Sequence, residues 1–213
     1  MSSSLKNELS SSDFEVDANE MQSRSRVQRA KLIHGLRTGL TALALVAGIA
    51  VLGLSADALS VYNATYLPAD FLLPLWPENF DIGPTTSLVA GSAMVTAMNA
   101  VSLVASKNKL VRGRLVAHSA AILAAPVVAF TASLVTVVFF YAINASASVD
   151  SLHSWTCRWR SVPMYTRPYF GTLCRESQAA VALSVLLVPL ELIILVTAYL
   201  QAMMEKKMQV VCT

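Results

Sequence analysis

Few residues in this chain could do chemistry, and most of them share one stretch, residues 153–174, HSWTCRWRSVPMYTRPYFGTLC. It holds Cys157 and Cys174, with His153 four residues ahead of the first. Two cysteines facing an oxidising compartment pair and stay paired. A Cys157–Cys174 bridge would close a loop of about 18 residues and stabilise it by roughly 3 kcal/mol through chain entropy. Two free thiols are the other reading. His153, Cys157 and Cys174 together could offer three metal ligands, but no CxxC or HxxxH pair accompanies them. The expectation is therefore a disulfide and no metal. Trp155, Trp159, Tyr165, Tyr169 and Phe170 flank the cysteines and could pack over the bridge. The third cysteine, Cys212, stands one residue before the last and makes no prenylation box. Palmitoylation and an inert thiol are its two readings.

The other chemically capable group is Glu191, in the middle of AAVALSVLLVPLELIILVTAYL, residues 179–200. Those 22 residues suffice to cross a hydrocarbon layer of ~30 Å at about 1.5 Å per residue. A carboxylate at that depth costs several kcal/mol, so it should be neutral, paired or facing water. Asn99 lies within a second apolar run, residues 88–105. Measured from the midpoints of the two runs, Asn99 and Glu191 sit about 4 Å and 2 Å from the bilayer centre, on the same side. A protonated Glu191 hydrogen-bonded to Asn99 across the helix interface is the structural reading. A proton or ion relay is the functional one, and no other membrane-embedded acid, Lys or Arg supports it. Pro189 could free the carbonyl of Val185 as a further polar partner. No HExxH, GxSxG, clustered His/Asp or Gly-rich phosphate loop occurs, so neither enzymatic activity nor a cofactor is expected.

These groups must be positioned by elements that the composition places in lipid. Of the 213 residues 55% are hydrophobic and only 14% charged, with mean hydropathy +0.56; soluble domains carry about 25% charged residues. Four apolar runs predict an all-α transmembrane four-helix bundle, residues 38–204, with spans at about 38–56, 88–105, 115–143 and 179–200. Gly35 and Gly39, and then Ala44 and Gly48, are four apart, a spacing that lets helices approach closely. The second span is rich in small residues (Ala90, Gly91, Ala93, Ala97, Ala100), which suits a central place. The third exceeds the bilayer, so it should tilt or protrude; Pro126 should bend it, and Phe139, Phe140 and Tyr141 should form an aromatic belt at its far end.

Residues 1–22 hold six Ser and five acids against one aromatic, Phe14, and read as a disordered cytoplasmic tail. Residues 23–37 form a basic juxtamembrane segment with Arg24, Arg26, Arg29, Lys31 and Arg37. It orients the chain, or it forms an interfacial helix on anionic lipid that phosphorylation of Ser23 or Ser25 would release. The loop at 57–84 contains no Lys or Arg. Four prolines, Pro68, Pro74, Pro77 and Pro84, break it. Its apolar residues Phe71, Leu72, Leu73, Leu75, Trp76 and Phe80 read as a loop on the bundle rim with Trp76 at the headgroups, or as a partner-binding patch.

Twelve Lys/Arg fall in the N-terminal segment, the 106–114 loop and the 205–213 tail, against four (Arg158, Arg160, Arg167, Arg175) in the other two loops. The positive-inside rule then places both termini in the cytoplasm and the chain in the plasma membrane or a secretory-pathway membrane. The sequons Asn63-Ala64-Thr65 and Asn144-Ala145-Ser146 both fall on the outer side as glycosylation candidates. Asn144 abuts a span, so Asn63 is the better acceptor.

Four spans, cytoplasmic termini and a Trp- and Cys-bearing loop resemble the layout of MARVEL-domain proteins. More closely, the chain is similar to uncharacterised four-span membrane proteins of filamentous fungi. The likeness covers about residues 38–204. Claudins carry their Trp and paired Cys in the first outer loop, whereas here Trp155, Cys157, Trp159 and Cys174 lie in the second. The Cys-Cys-Gly motif of tetraspanins does not occur. The expected role is a non-enzymatic membrane organiser or scaffold whose partners are the lipid bilayer, itself or other membrane proteins, and not nucleic acid. The competing role is a small transporter or channel using Glu191 and Asn99, or an accessory subunit of a membrane complex.

Overall fold

The computed structural model describes residues 2–66, 76–77, 79–107, 115–145 and 149–211, with side chains described in these segments outside 2–27, 29–31, 107, 115–122 and 205–211. Five helices are described: α1 (Ser2–Thr65), α2 (Gly83–Lys107), α3 (Leu115–Ala145), the short α4 (Leu152–Arg158) and α5 (Phe170–Val211). Four of them contain segments long and apolar enough to span a membrane: Leu32–Thr65, Gly83–Ser106, Leu123–Ala145 and Phe170–Met204. The chain thus has the fold of an integral multi-pass membrane protein, a four-helix bundle with a disulfide-bearing loop.

The helix ends follow from local chemistry. α1 stops at Thr65, three residues ahead of Pro68 in the sequence, and helices usually end at or before the residue that precedes a proline. α2 opens with Pro84 in its first turn, where a missing N–H is harmless, while Asp81 Oδ1 accepts the Gly83 N–H at 2.7 Å. Ser151 caps α4 reciprocally: its hydroxyl accepts from Ser154 N, and Ser154 Oγ accepts from Ser151 N at 2.9 Å. Pro126 and Pro189 lie inside α3 and α5. At 42 residues, α5 is about 63 Å long and projects well beyond a hydrocarbon layer.

α1 extends beyond the expected span at both ends. α1 reaches back to Ser2 through residues read as disordered. No Gly or Pro precedes Gly35, and once a span is helical each further residue adds a hydrogen bond without a new nucleus. α1 also continues past residue 56 to Thr65, so what reads as the start of a loop is its last turns.

Consecutive spans pack side by side, and α5 returns beside α1, so each of α1, α2, α3 and α5 borders two others. The seam is unlike that of a soluble bundle. On α5, beyond its first turns, the buried positions are Ser177, Ala180, Ser184, Leu187, Glu191, Ile194 and Ala198; on α1 they include Arg37, Thr41, Ala44, Val51, Ser55 and Ala58. Both sets step alternately by three and four residues, with Gly48 completing the α1 series. Most are small or polar. The bulky residues face outward, as Leu43 (58% exposed), Val46 (64%) and Leu186 (64%) do. In lipid nothing drives a leucine inward, and small residues at the seam let backbones approach.

Two glycines set those approaches. A Cβ on Gly48 would lie 2.8 Å from Thr96 Oγ1 on α2, and one on Gly91 would overlap the Thr136 side chain on α3. Gly35 and Gly39 meet nothing within 4 Å, so the α1 packing spacing is used at Ala44 and Gly48 and not at that pair. Gly91→Ala should destabilise the bundle by about 1–3 kcal/mol, the usual range for overpacking. Thermal unfolding in detergent measures it, and adding Thr136→Ala should recover part of the loss.

At one end of the bundle the loops fold into a cap. Phe80–Asp81 (β1) and Asp150–Ser151 (β2) pair in parallel, Phe80 opposite Asp150 and Asp81 opposite Ser151, joining the first long loop to the second. Beneath lies an apolar cluster of Ala58, Val61, Trp76, Leu152, Phe170 and Leu173. Trp76 is not at a headgroup surface as expected: it is 4% exposed, edge-on to Tyr62 and Phe170, with its indole N–H donating to Thr65 Oγ1 at 3.2 Å. The extra turns of α1 supply that shelter. Phe71, Leu72, Leu73 and Leu75 lie outside the described residues. The aromatic belt of α3 is also divided: Phe139 and Tyr141 are exposed, whereas Phe140 is buried against His153 of α4.

Candidate functional site

The middle of the bundle brings together the two polar residues singled out in the spans. α2 and α5 stand diagonally across the bundle and touch at few points. Asn99 Nδ2 on α2 nonetheless donates to Glu191 Oε1 on α5 at 2.6 Å. Glu191 is wholly buried and Asn99 is 3% exposed. Glu191 Oε2 has no partner among the described residues. The bond therefore crosses the bundle axis and ties two helices that pack only sparsely on each other.

Toward the cap lies a layer of hydroxyls, Ser92, Ser133, Thr136 and Ser184, around a void of about 10 Å³ that holds at most one water. Each hydroxyl donates to its own helix: Ser92 to Leu88 O at 2.6 Å, Ser133 to Phe130 O at 2.8 Å, Thr136 to Ala132 O and Ser184 to Ala180 O at 2.7 Å. Satisfied in this way, they form no continuous polar path. Toward the tails, the buried Arg37 donates from Nη1 to Gln201 Oε1 at 3.1 Å, linking α1 to α5. Arg37, read as a surface member of the basic cluster, is thus part of the interhelical seam. Its heptad spacing from Thr41 and Ala44 was the available signal. The side chains of Arg24, Arg26, Arg29 and Lys31, and Cys212 altogether, lie outside the described residues.

In the cap, Cys157 of α4 and Cys174 of α5 form the expected disulfide, with Cα atoms 4.8 Å apart. The bridge consumes both thiols that a metal site with His153 would require. Of the flanking aromatics, Trp155 and Trp159 lean on each other with ring centroids 5.7 Å apart, and Phe170 is buried against Trp76. Tyr165 is 96% exposed and covers nothing. Asp150 and Arg158 form an ion pair at 2.9 Å.

His153 Nδ1 lies 2.7 Å from Ser177 Oγ, and that hydroxyl donates to Cys174 O at 3.1 Å. Burial holds the imidazole pKa below its ordinary value of 6.5. The unfolded chain therefore binds more protons than the cap below that pH, so stability is full above 6.5 and is lost as pH falls through the lower folded value. The denaturation midpoint followed by tryptophan fluorescence should drop between pH 7.5 and pH 5, and His153→Gln should flatten that dependence.

The two sequons differ. Asn63 is exposed, on the last turn of α1. Asn144 is engaged at both ends of its amide, donating to Phe140 O at 2.9 Å and accepting from Ser151 Oγ at 2.6 Å. No family model, curated protein or solved structure matches the chain. The four-span layout is therefore carried by the helices themselves, and no match supports the expected likeness to MARVEL-domain or fungal proteins.

Proposed function

We propose that this protein is a non-enzymatic membrane scaffold, its bundle an anchor and its cap the working surface, with both termini in the cytoplasm. The observation that carries the reading is the contrast between a closed interior and a braced exterior. Inside, the four hydroxyls around the void, Ser92, Ser133, Thr136 and Ser184, are satisfied within their own helices and the void holds at most one water, while Ser55 Oγ and Thr96 Oγ1 are buried with no partner among the described residues. Outside, strand pairing and a shared aromatic cluster join the two long loops, and a disulfide within the second ties α4 to α5. A transporter needs the reverse arrangement. The charge bias of twelve against four supports the orientation, and exposed Asn63 is the glycan acceptor that goes with it.

Proximity labelling in cells, combined with native-gel sizing, tests the role: a stable set of membrane partners is the expected result. Solute flux through reconstituted vesicles that Glu191→Ala abolishes would replace the scaffold with the transporter. Protease accessibility of the two termini in sealed cells checks the orientation.

A further inference from the structure

We propose that the cap carries a binding groove for the phosphate of a phospholipid headgroup, formed where the loop after α4 meets the first turns of α5. The groove encloses about 250 Å³ and is bordered by Arg160, Met164, Tyr169, Gly171, Thr172 and Arg175. That is smaller than the ~300 Å³ at which ordinary ligand pockets begin. No acid borders it. Two of the four cap arginines thus face one space, and among the described residues neither Arg160 nor Arg175 has an ion-pair partner. Arg158, by contrast, is committed to Asp150. Guanidinium groups at an unneutralised groove suit a phosphate, which they grip bidentately. The floor is close-packed: a Cβ on Gly171 would lie 3.2 Å from the Arg160 carbonyl oxygen, so the loop rests directly on the helix. The start of α5 adds the positive end of a long helix dipole.

Depth identifies the source of the phosphate. Counting from the centre of the fourth apolar run, between residues 189 and 190, Arg175 stands about 22 Å from the bilayer midplane at 1.5 Å per residue. A bilayer with its headgroups is ~40–45 Å thick, so the groove opens at the outer edge of the headgroup layer. The surrounding surface is dressed for that place, with Trp159 43%, Val162 41% and Tyr169 47% exposed. Aromatic residues settle where water meets headgroups. The site depends on the four-span fold and not on the scaffold role, so a positive flux assay would leave it standing.

The test uses the full-length protein in detergent and three probes: dioctanoyl phosphatidylglycerol, dioctanoylglycerol, which lacks phosphate, and glycerol phosphate, which lacks acyl chains. Native mass spectrometry counts bound molecules and gives Kd. The phospholipid should bind saturably, with both other probes at least tenfold weaker. Arg160→Gln and Arg175→Gln should each weaken it about tenfold or more, the loss of a charge-assisted contact, while Arg167→Gln leaves it unchanged. All three side chains are exposed, so these variants keep the fold. Unchanged affinity in the Arg160→Gln/Arg175→Gln double variant, or equal binding of dioctanoylglycerol, overturns the site. Glycerol phosphate binding as tightly as the phospholipid overturns the lipid as its occupant.

Discussion

Asn99→Ala should destabilise the bundle by about 2–3 kcal/mol, more than the hydrogen bond itself is worth. Interhelical hydrogen bonds in membranes average only ~0.6 kcal/mol, and rarely reach 2, because the separated helices find other partners. The larger figure comes from what the substitution leaves behind. Glu191 is wholly buried, its Oε2 already has no partner among the described residues, and Asn99 serves its Oε1. Without Asn99 the Oε1 is stranded as well, at the ~1–3 kcal/mol that a buried unmet polar group costs. Removing both partners leaves no such debt, so Asn99→Ala/Glu191→Leu should recover most of the stability. Glu191→Gln keeps the accepting oxygen and the shape and should cost under ~1 kcal/mol. Unfolding in detergent against rising SDS, followed by circular dichroism, ranks the four. A single Asn99→Ala variant within ~0.5 kcal/mol of the parent, or Glu191→Gln as damaging as Asn99→Ala, would show that the bond does not hold the diagonal helices together.

The disulfide should matter as much, but locally. Its cysteines are 17 residues apart, a loop whose closure is worth about 3 kcal/mol in the chain-entropy model. Replacing both with serine should therefore raise amide exchange in α4 and the 159–169 segment by about two decades, since each 1.4 kcal/mol is tenfold. The bundle below should keep its protection, because α1, α2, α3 and α5 pack on one another without the bridge. The cap should loosen without coming apart, as Trp76, Leu152 and Phe170 still share their cluster and β1 still pairs with β2. Exchange measured by mass spectrometry separates the regions. Unchanged exchange in α4 would mean that the apolar cluster alone fixes the cap. A collapse of protection throughout α5 would mean that the bundle depends on its cap.

How much of this could be read from residues alone depends on the kind of order involved. Membrane crossing is a one-dimensional property. A hydrocarbon layer excludes charge over a fixed thickness, so a run such as residues 179–200 declares its span, and depth along that run places Glu191 level with Asn99. Likewise, two cysteines in one aromatic-rich loop have few alternatives to each other. Rotation about each helix axis is different. Lipid is as apolar as a leucine side chain, so the contrast that marks the buried face of a soluble helix is missing. Leu43 and Val46 look like core and face outward, while Thr41, Ser55 and Ser184 look like surface and are buried. That choice was made by the close approaches at Gly48 and Gly91.

Sequence by itself determined the number of crossings, the disulfide and the level of the polar pair, because each depends on distance along the chain or on residue type. Tertiary structure alone decided that Trp76 is buried, that Arg37 reaches Gln201, and that Arg160 and Arg175 border one groove. Those depend on which segments meet in space, and the sequence separations involved, such as the 164 residues between Arg37 and Gln201, carry no local signal of the encounter.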